Sequence, residues 1–172
     1  FVLQSLTDKG VVDMKIDTQG DNIKISDFNA EECYRIARKM ENESIRFYES
    51  IKDKIEDPAI AEVIDSLIGE ERCHLAFCEN ALSGLGATEA DSEHIVEIVD
   101  PGVVSPLAAV DVEQVLCNRD EAVKLGISLE KRAISFYESI LGETENEEGR
   151  EALKKIIAEE QGHRDRLQAL LN

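Results

Sequence analysis

Two short motifs in the chain combine a glutamate with a histidine three residues later. They are Glu71 with His74 and Glu160 with His163. Residues three positions apart share one face of an α-helix, so each pair can present a carboxylate and an imidazole to the same ion. This E-x-x-H spacing predicts that both pairs bind metal.

The two motifs are part of an internal repeat. The segment Phe47–Ile51 recurs as Phe136–Ile140, 89 residues later. The same offset relates the two E-x-x-H pairs, and it relates Glu41 to Glu130, each 30 residues before its motif. Polar residues that repeat at one offset indicate two copies of a helical hairpin.

The repeated glutamates fall on stripes of small and apolar residues at alternating steps of three and four, the spacing of a buried bundle seam. Those stripes carry no lysine or arginine. Buried carboxylates must protonate, pair with cations or bind metal. Two divalent ions would neutralise four carboxylates. The predicted metal ligands are Glu41, Glu71, His74, Glu130, Glu160 and His163.

Oxygen-rich ligation with one nitrogen for each metal suits iron or manganese better than the thiolate-rich sites of structural zinc. The expected cofactor is a pair of iron ions, with manganese or zinc as substitutes. Tyr48 and Tyr137 lie on the same seams, seven residues after Glu41 and Glu130. They are either core aromatics or hydrogen-bond donors to a ligand carboxylate, and we predict the second role.

Other polar residues near the motifs are not predicted to bind the metal. Helical position assigns Glu43, Glu70 and Glu159 to the surface. Cys73 and Cys78 flank the first histidine and are predicted to be small buried residues rather than redox thiols. The remaining histidine, at position 94, receives no role.

These motifs resemble the rubrerythrin family, a branch of the ferritin-like superfamily of diiron carboxylate proteins. In that family a glutamate followed seven residues later by a tyrosine precedes E-x-x-H, twice. The matching pairs are Glu41 with Tyr48, Glu71 with His74, Glu130 with Tyr137, and Glu160 with His163. The resemblance covers roughly residues 29–172 and implies a diiron centre that reduces hydrogen peroxide or reacts with dioxygen.

The sequence also departs from the family pattern. It contains no C-x-x-C pair for a rubredoxin iron centre, so the resemblance implies an external electron donor such as a rubredoxin-like protein. Ser44 and Ala133 stand where an extra carboxylate would follow the lone glutamates. A homodimer is a further expectation from the resemblance.

Two other functions remain open at this stage. The first is a ferroxidase or iron-handling protein of ferritin type, although ferritins usually carry fewer histidines than two E-x-x-H pairs provide. The second is a metal-stabilised bundle with an accessory role, because the sequence encodes no recognisable substrate pocket.

The elements that must position these residues are four long helices. Asp27 or Asn29 can cap a first helix that runs to about residue 55, and Asp57 with Pro58 opens a second that runs to about residue 82. Asn118, with a glutamate three residues later, opens a third helix to about residue 141. The fourth covers about residues 148–171.

The predicted fold is an all-α, ferritin-like antiparallel four-helix bundle. The helical hairpins are 29–83 and 118–172, and a long crossover at 84–117 joins helices 2 and 3, with a short helical pattern at 110–117. Residues 1–28 form an N-terminal extension in which Val12, Met14 and Ile16, then Ile23 and Ile25, alternate with polar residues around Gln19-Gly20-Asp21-Asn22, which indicates a β-hairpin.

Composition limits the remaining possibilities. The 172 residues are 42% hydrophobic, which suits one domain with a real core. A formal net charge of −18 repels nucleic acids and anionic membranes, and we expect neither as a partner. The absence of a long apolar run and of C-x-x-C spacing among four cysteines predicts a cytoplasmic protein with reduced thiols.

Overall fold

The computed structural model describes residues 15–26, 30–86, 107, 110–145 and 147–171. Within them, a two-stranded hairpin precedes five helices. The strands are β1 Lys15–Gln19 and β2 Asn22–Ser26, and the helices are α1 Ala30–Lys52, α2 Pro58–Leu85, α3 Val112–Leu116, α4 Arg119–Glu143 and α5 Glu147–Ala169. The all-α, ferritin-like bundle with an N-terminal hairpin is therefore confirmed.

Capping residues begin α2 and α4 where the sequence predicted, while Asp27 and Asn29, the predicted caps of α1, lie outside the described residues. The Asp57 side chain accepts a hydrogen bond from the Ala59 N–H, and Pro58 occupies the first turn of α2. The Asn118 side chain accepts from the backbone N–H groups at the start of α4. However, α2 continues to Leu85, because Gly86 rather than Gly84 takes the left-handed conformation that closes it, at φ 73°.

Two antiparallel pairs, α1 with α2 and α4 with α5, form the bundle. Its interior consists of two apolar clusters. One contains residues from the N-terminal half of α1 and the C-terminal half of α4, together with β2, and the other contains residues from the opposite ends of these helices. In each long helix, the glutamate singled out above falls between the stretches that contribute to the two clusters. The polar site thus lies between two apolar layers.

The hairpin packs on α4 rather than extending into solvent. β1 and β2 pair antiparallel, with Gln19 opposite Asn22, and Gly20 takes φ 63° in the turn. Ile23 and Ile25 expose only 3% and 1% of their surface and belong to the bundle core. Residues 12 and 14, which shared the predicted alternation, lie outside the described residues.

Two serine hydroxyls of α4 form the backbone hydrogen bonds with β2 that a neighbouring strand would otherwise form. The Ser135 hydroxyl accepts from Ile23 N at 2.9 Å and donates to Ile23 O at 2.9 Å. Ser139 does the same with Ile25 at 2.9 and 3.0 Å. Residues four apart on a helix are separated by about 6 Å and alternate residues of a strand by about 6.7 Å, so the two sets of groups match.

The first repeat lacks this arrangement. Arg46 stands at the position equivalent to Ser135, and the hydroxyl of Ser50, the equivalent of Ser139, donates to the Arg46 carbonyl within its own helix. The described contacts between serine hydroxyls and the backbone of β2 are therefore made by α4.

The crossover is only partly described. The predicted short helix is confirmed as α3, while residues 87–106, including the histidine at position 94, lie outside the described residues. None of the described helices combines the length and apolar composition that crossing a bilayer requires. The boundary at residue 28 between extension and bundle stays a prediction.

The serine contacts can be tested by a double substitution, Ser135→Ala with Ser139→Ala. Each serine satisfies one N–H and one carbonyl of β2, so we expect the free energy of unfolding to fall by about 2–4 kcal/mol in urea titrations. Amide hydrogen exchange at Ile23 and Ile25 should accelerate. Ser50→Ala is the matched control and should change stability by less than about 0.5 kcal/mol. Unchanged exchange at both isoleucines would contradict the role given to the serines.

Candidate metal centre

All six predicted ligands meet in the middle of the bundle. Glu41 comes from α1, Glu71 and His74 from α2, Glu130 from α4, and Glu160 and His163 from α5. None of them exposes more than 4% of its surface. Four helices thus converge on one buried polar cluster.

One half of the cluster is built around His74. Its Nδ1 lies 3.1 Å from Glu160 Oε1, 3.3 Å from Glu71 Oε2 and 3.9 Å from Glu41 Oε2. One donor atom from each of these four residues lies within 4.8 Å of the others, close enough for them to share one metal ion.

The other half is built around His163 and reproduces the first. Its Nδ1 lies 3.1 Å from Glu160 Oε2, 3.3 Å from Glu71 Oε1 and 3.5 Å from Glu130 Oε2. Glu71 and Glu160 therefore turn one oxygen toward each histidine, as carboxylates that bridge two ions would. The two imidazole rings are stacked, with centroids 5.7 Å apart.

The donor atoms are close together but do not satisfy one another. Among the described residues, several buried side-chain atoms make no hydrogen bond, and five of them belong to this cluster: Glu71 Oε2, His74 Nδ1, Glu160 Oε1, Glu160 Oε2 and His163 Nδ1. Each unsatisfied buried group costs about 1–3 kcal/mol. Metal ions placed among these atoms would satisfy them together, so the residues fit a metal centre.

The pKa shifts of the glutamates show that the cluster disfavours additional negative charge. Burial, together with repulsion from Glu71 and Glu160, raises the pKa of Glu41 well above its usual range. The same causes raise the pKa of Glu130. Both shifts favour the protonated form of these two carboxylates when no metal is bound.

The pKa values of the two histidines are raised as well, which favours the charged form of each ring. Burial disfavours the charged ring of His74, but the nearby carboxylates of Glu160 and Glu71 outweigh burial and raise the pKa to about 12. His163 is likewise raised, against burial, by Glu130, Glu160 and Glu71. Burial opposes ionisation of Glu160, but its contacts with both histidines lower its pKa to about 2. Protons and metal ions thus compete for the same atoms.

Each of the two predicted tyrosines donates a hydrogen bond to the lone glutamate of the other repeat. The Tyr48 hydroxyl donates to Glu130 Oε1, and the Tyr137 hydroxyl donates to Glu41 Oε1. Burial and neighbouring carboxylates raise the pKa of both phenols, so both remain donors. Of the two roles considered for them, the structure supports the hydrogen bond to a carboxylate. It leaves the second oxygen of each glutamate facing a histidine.

Two residues that helical position had assigned to the surface contact the site. Glu159 Oε2 lies 3.0 Å from His74 Nε2, and Glu70 Oε2 lies 3.1 Å from His163 Nε2. Their side chains are 39% and 41% exposed, so both lie at the surface as predicted, and each also contacts a histidine of the cluster. Helical position alone did not indicate these contacts, because each crosses to a neighbouring helix. The signal was available, because both repeats read E-E-x-x-H.

Two of the four cysteines are buried and two are exposed. All four are free thiols, and Cys78 is buried as predicted, whereas Cys73 is exposed because it lies off the buried seam. Burial raises the pKa of the Cys78 thiol, which keeps it protonated. Ser44 and Ala133 are buried and supply no carboxylate, and Glu43 is not among the residues of the cluster.

Replacement of one lone glutamate should separate folding from metal binding. Burial and repulsion favour the protonated form of Glu41 in the metal-free protein, and an amide resembles a protonated carboxyl, so Glu41→Gln should change the free energy of unfolding by less than about 1 kcal/mol. Saturating Co²⁺ at about 100 times its Kd should stabilise the unsubstituted protein by about 2.7 kcal/mol and the variant by much less. Thermal unfolding with and without Co²⁺ measures both, with the exposed Glu62→Gln as control. Equal stabilisation of both proteins by Co²⁺ would remove Glu41 from the ligand set.

Tyr48→Phe and Tyr137→Phe should each lower the metal-free free energy of unfolding by about 1–3 kcal/mol, because each leaves a buried carboxylate oxygen without its donor. Tyr34→Phe is the control, since the Tyr34 hydroxyl is buried and has no hydrogen-bond partner among the described residues. Its removal should be neutral or stabilising. Chemical denaturation of the three variants tests this order, and an equal loss in all three would contradict it.

Comparison with known proteins agrees with this geometry. The sequence model of the rubrerythrin family matches residues 18–82 and 32–171, which include all six clustered residues and both tyrosines. No curated protein and no solved structure matches the chain significantly. With most of its length matched, the chain belongs to the rubrerythrin family.

Proposed function

We propose that this protein is a diiron oxidoreductase that reduces hydrogen peroxide or dioxygen with electrons from an external donor. The observation that carries the proposal is the buried cluster of four glutamates and two histidines, whose inner atoms lack hydrogen-bond partners among the described residues. Membership of the rubrerythrin family supports the choice of iron.

The arrangement suggests how two ions would be held. Glu41 and His74 would serve one ion, Glu130 and His163 the other, and Glu71 and Glu160 both. Four carboxylates and two neutral histidines then balance two divalent cations. When bound, two adjacent irons supply the two electrons that cleavage of a peroxide O–O bond consumes, with two protons, to give two waters.

The protein contributes orientation and exclusion of water. Tyr48 and Tyr137 hold their protons on hydroxyls directed at the lone glutamates, which fixes one oxygen of each carboxylate. The apolar clusters on either side of the site keep bulk water away. A surface cleft of about 450 Å³ between α2 and α5 reaches the ligands only through His74. These features favour a small oxidant over an organic substrate.

The electron donor is proposed to be an iron centre that lies outside these 172 residues. The 172 residues contain no C-x-x-C pair, the spacing from which a rubredoxin iron centre is built. A rubredoxin-like protein is the donor class that the family suggests.

An anaerobic titration with ferrous ion, followed by peroxide, tests the proposal. We expect binding to end at two irons for each chain, and one peroxide to oxidise both, as monitored by ferric absorbance. The double variant Glu71→Ala with Glu160→Ala should load little iron, because both shared carboxylates are lost.

Other outcomes would favour the other functions. Accumulation of many irons for each chain would indicate iron handling. Two bound irons that neither peroxide nor dioxygen oxidises would indicate a structural metal. Failure of iron, manganese and cobalt to bind would contradict a metal centre altogether.

A further inference from the structure

The outward nitrogens of the two histidines each face a carboxylate from the other repeat. His74 Nε2 on α2 lies 3.0 Å from Glu159 Oε2 on α5, and His163 Nε2 on α5 lies 3.1 Å from Glu70 Oε2 on α2. The inward Nδ1 atoms face the shared glutamates at 3.1–3.3 Å. Each imidazole is therefore held between an outer and an inner set of carboxylates.

The outer carboxylate determines which nitrogen is free to bind a metal. A neutral imidazole carries one N–H and one lone pair, and a carboxylate can only accept a hydrogen bond. With Nε2–H donating outward, the lone pair lies on Nδ1, which points at the cluster. Partners of this kind fix the tautomer and the ring orientation of metal-binding histidines.

We propose that Glu70 and Glu159 are positioning residues of the metal centre, each fixing the histidine of the opposite repeat with Nδ1 as the ligand atom. The inference rests on the proposed metal binding. It accounts for the double glutamate of both E-E-x-x-H motifs, in which the second residue belongs to the cluster and the first reaches across to the neighbouring helix.

The two outer carboxylates are supported unequally. Arg166 donates from both terminal nitrogens to Glu70, at 2.9 and 2.8 Å, and the Ser66 hydroxyl donates to the same carboxylate at 2.8 Å. At the offset of 89 residues, Phe77 stands in place of Arg166 and Lys155 in place of Ser66.

Glu159 is held less firmly than Glu70. Lys155 approaches Glu159 only to 3.8 Å. Both outer glutamates line the cleft between α2 and α5, but of the two histidines His74 alone lines it. The two sides thus differ in the arginine that holds Glu70 and in the exposure of His74 to the cleft. Loss of Arg166 should consequently disturb only the His163 half.

Metal affinity of the full chain provides the first test. Co²⁺ binding, measured in competition with a chromophoric chelator, should show two ions for each unsubstituted chain. Glu159→Ala or Glu70→Ala should weaken one of the two ions about 10–100-fold and leave the other nearly unchanged. Glu159→Gln and Glu70→Gln should lose less, because the amide oxygen still accepts the Nε2–H. Glu62→Ala on the exposed face of α2 is the control and should bind Co²⁺ normally.

NMR of the Zn²⁺-loaded protein with ¹⁵N-labelled histidine identifies the half that is affected. Glu159→Ala should speed exchange of the His74 Nε2–H and leave His163 unchanged, and Glu70→Ala should do the reverse. Arg166→Ala should resemble a mild form of Glu70→Ala. A purely structural role for these glutamates would not select one ring in this way.

The outcomes separate this inference from the proposed function. If the unsubstituted chain binds no Co²⁺, Zn²⁺ or iron, the metal centre itself is disproved. If it binds two ions, and all four glutamate variants keep the same affinity and the same imidazole N–H signals, the positioning role alone is overturned. Circular dichroism of the metal-free variants confirms that each has folded before binding is compared.

Discussion

The burial of four carboxylates between two apolar layers is the constraint on which the rest of the structure depends. An ionised carboxylate buried without a partner is far costlier than the marginal net stability of a domain can tolerate. The cluster therefore needs cations, whether protons on carboxylates and imidazoles or metal ions among them. The length of each long helix on both sides of its glutamate, and the apolar residues there, supply the hydrophobic stabilisation that offsets this cost.

The supporting contacts of the site run between the two repeats. Tyr48 of the first repeat holds Glu130 of the second, and Tyr137 holds Glu41 in return. The outer glutamates follow the same rule with the histidines. The contacts that orient the ligands of each hairpin therefore come from the other hairpin, so the site is complete only in the assembled bundle.

Much of this site could be predicted from the sequence, because a single offset relates all of its residues. The N-caps Asp57 and Asn118 and the β-hairpin turn were also predictable, since each depends on residues adjacent in sequence. What the sequence did not show were contacts across elements. Helical position places Glu70 on its own helix, but it does not reveal that α5 brings His163 within reach. For the same reason the pairing of Ser135 with β2 could not be foreseen.

Phe77 and Arg166 occupy equivalent positions in the two repeats, and this difference bears on how such a protein can evolve. In a symmetric dimer of identical hairpins, any substitution alters both halves of a shared centre at once. Two copies joined in one chain remove that restriction, because a mutation reaches only one of them. Here the residues that touch the centre are matched between the repeats, whereas the residues that support the outer glutamates differ. A chain of this kind can specialise one half of its centre while the other half preserves the original environment.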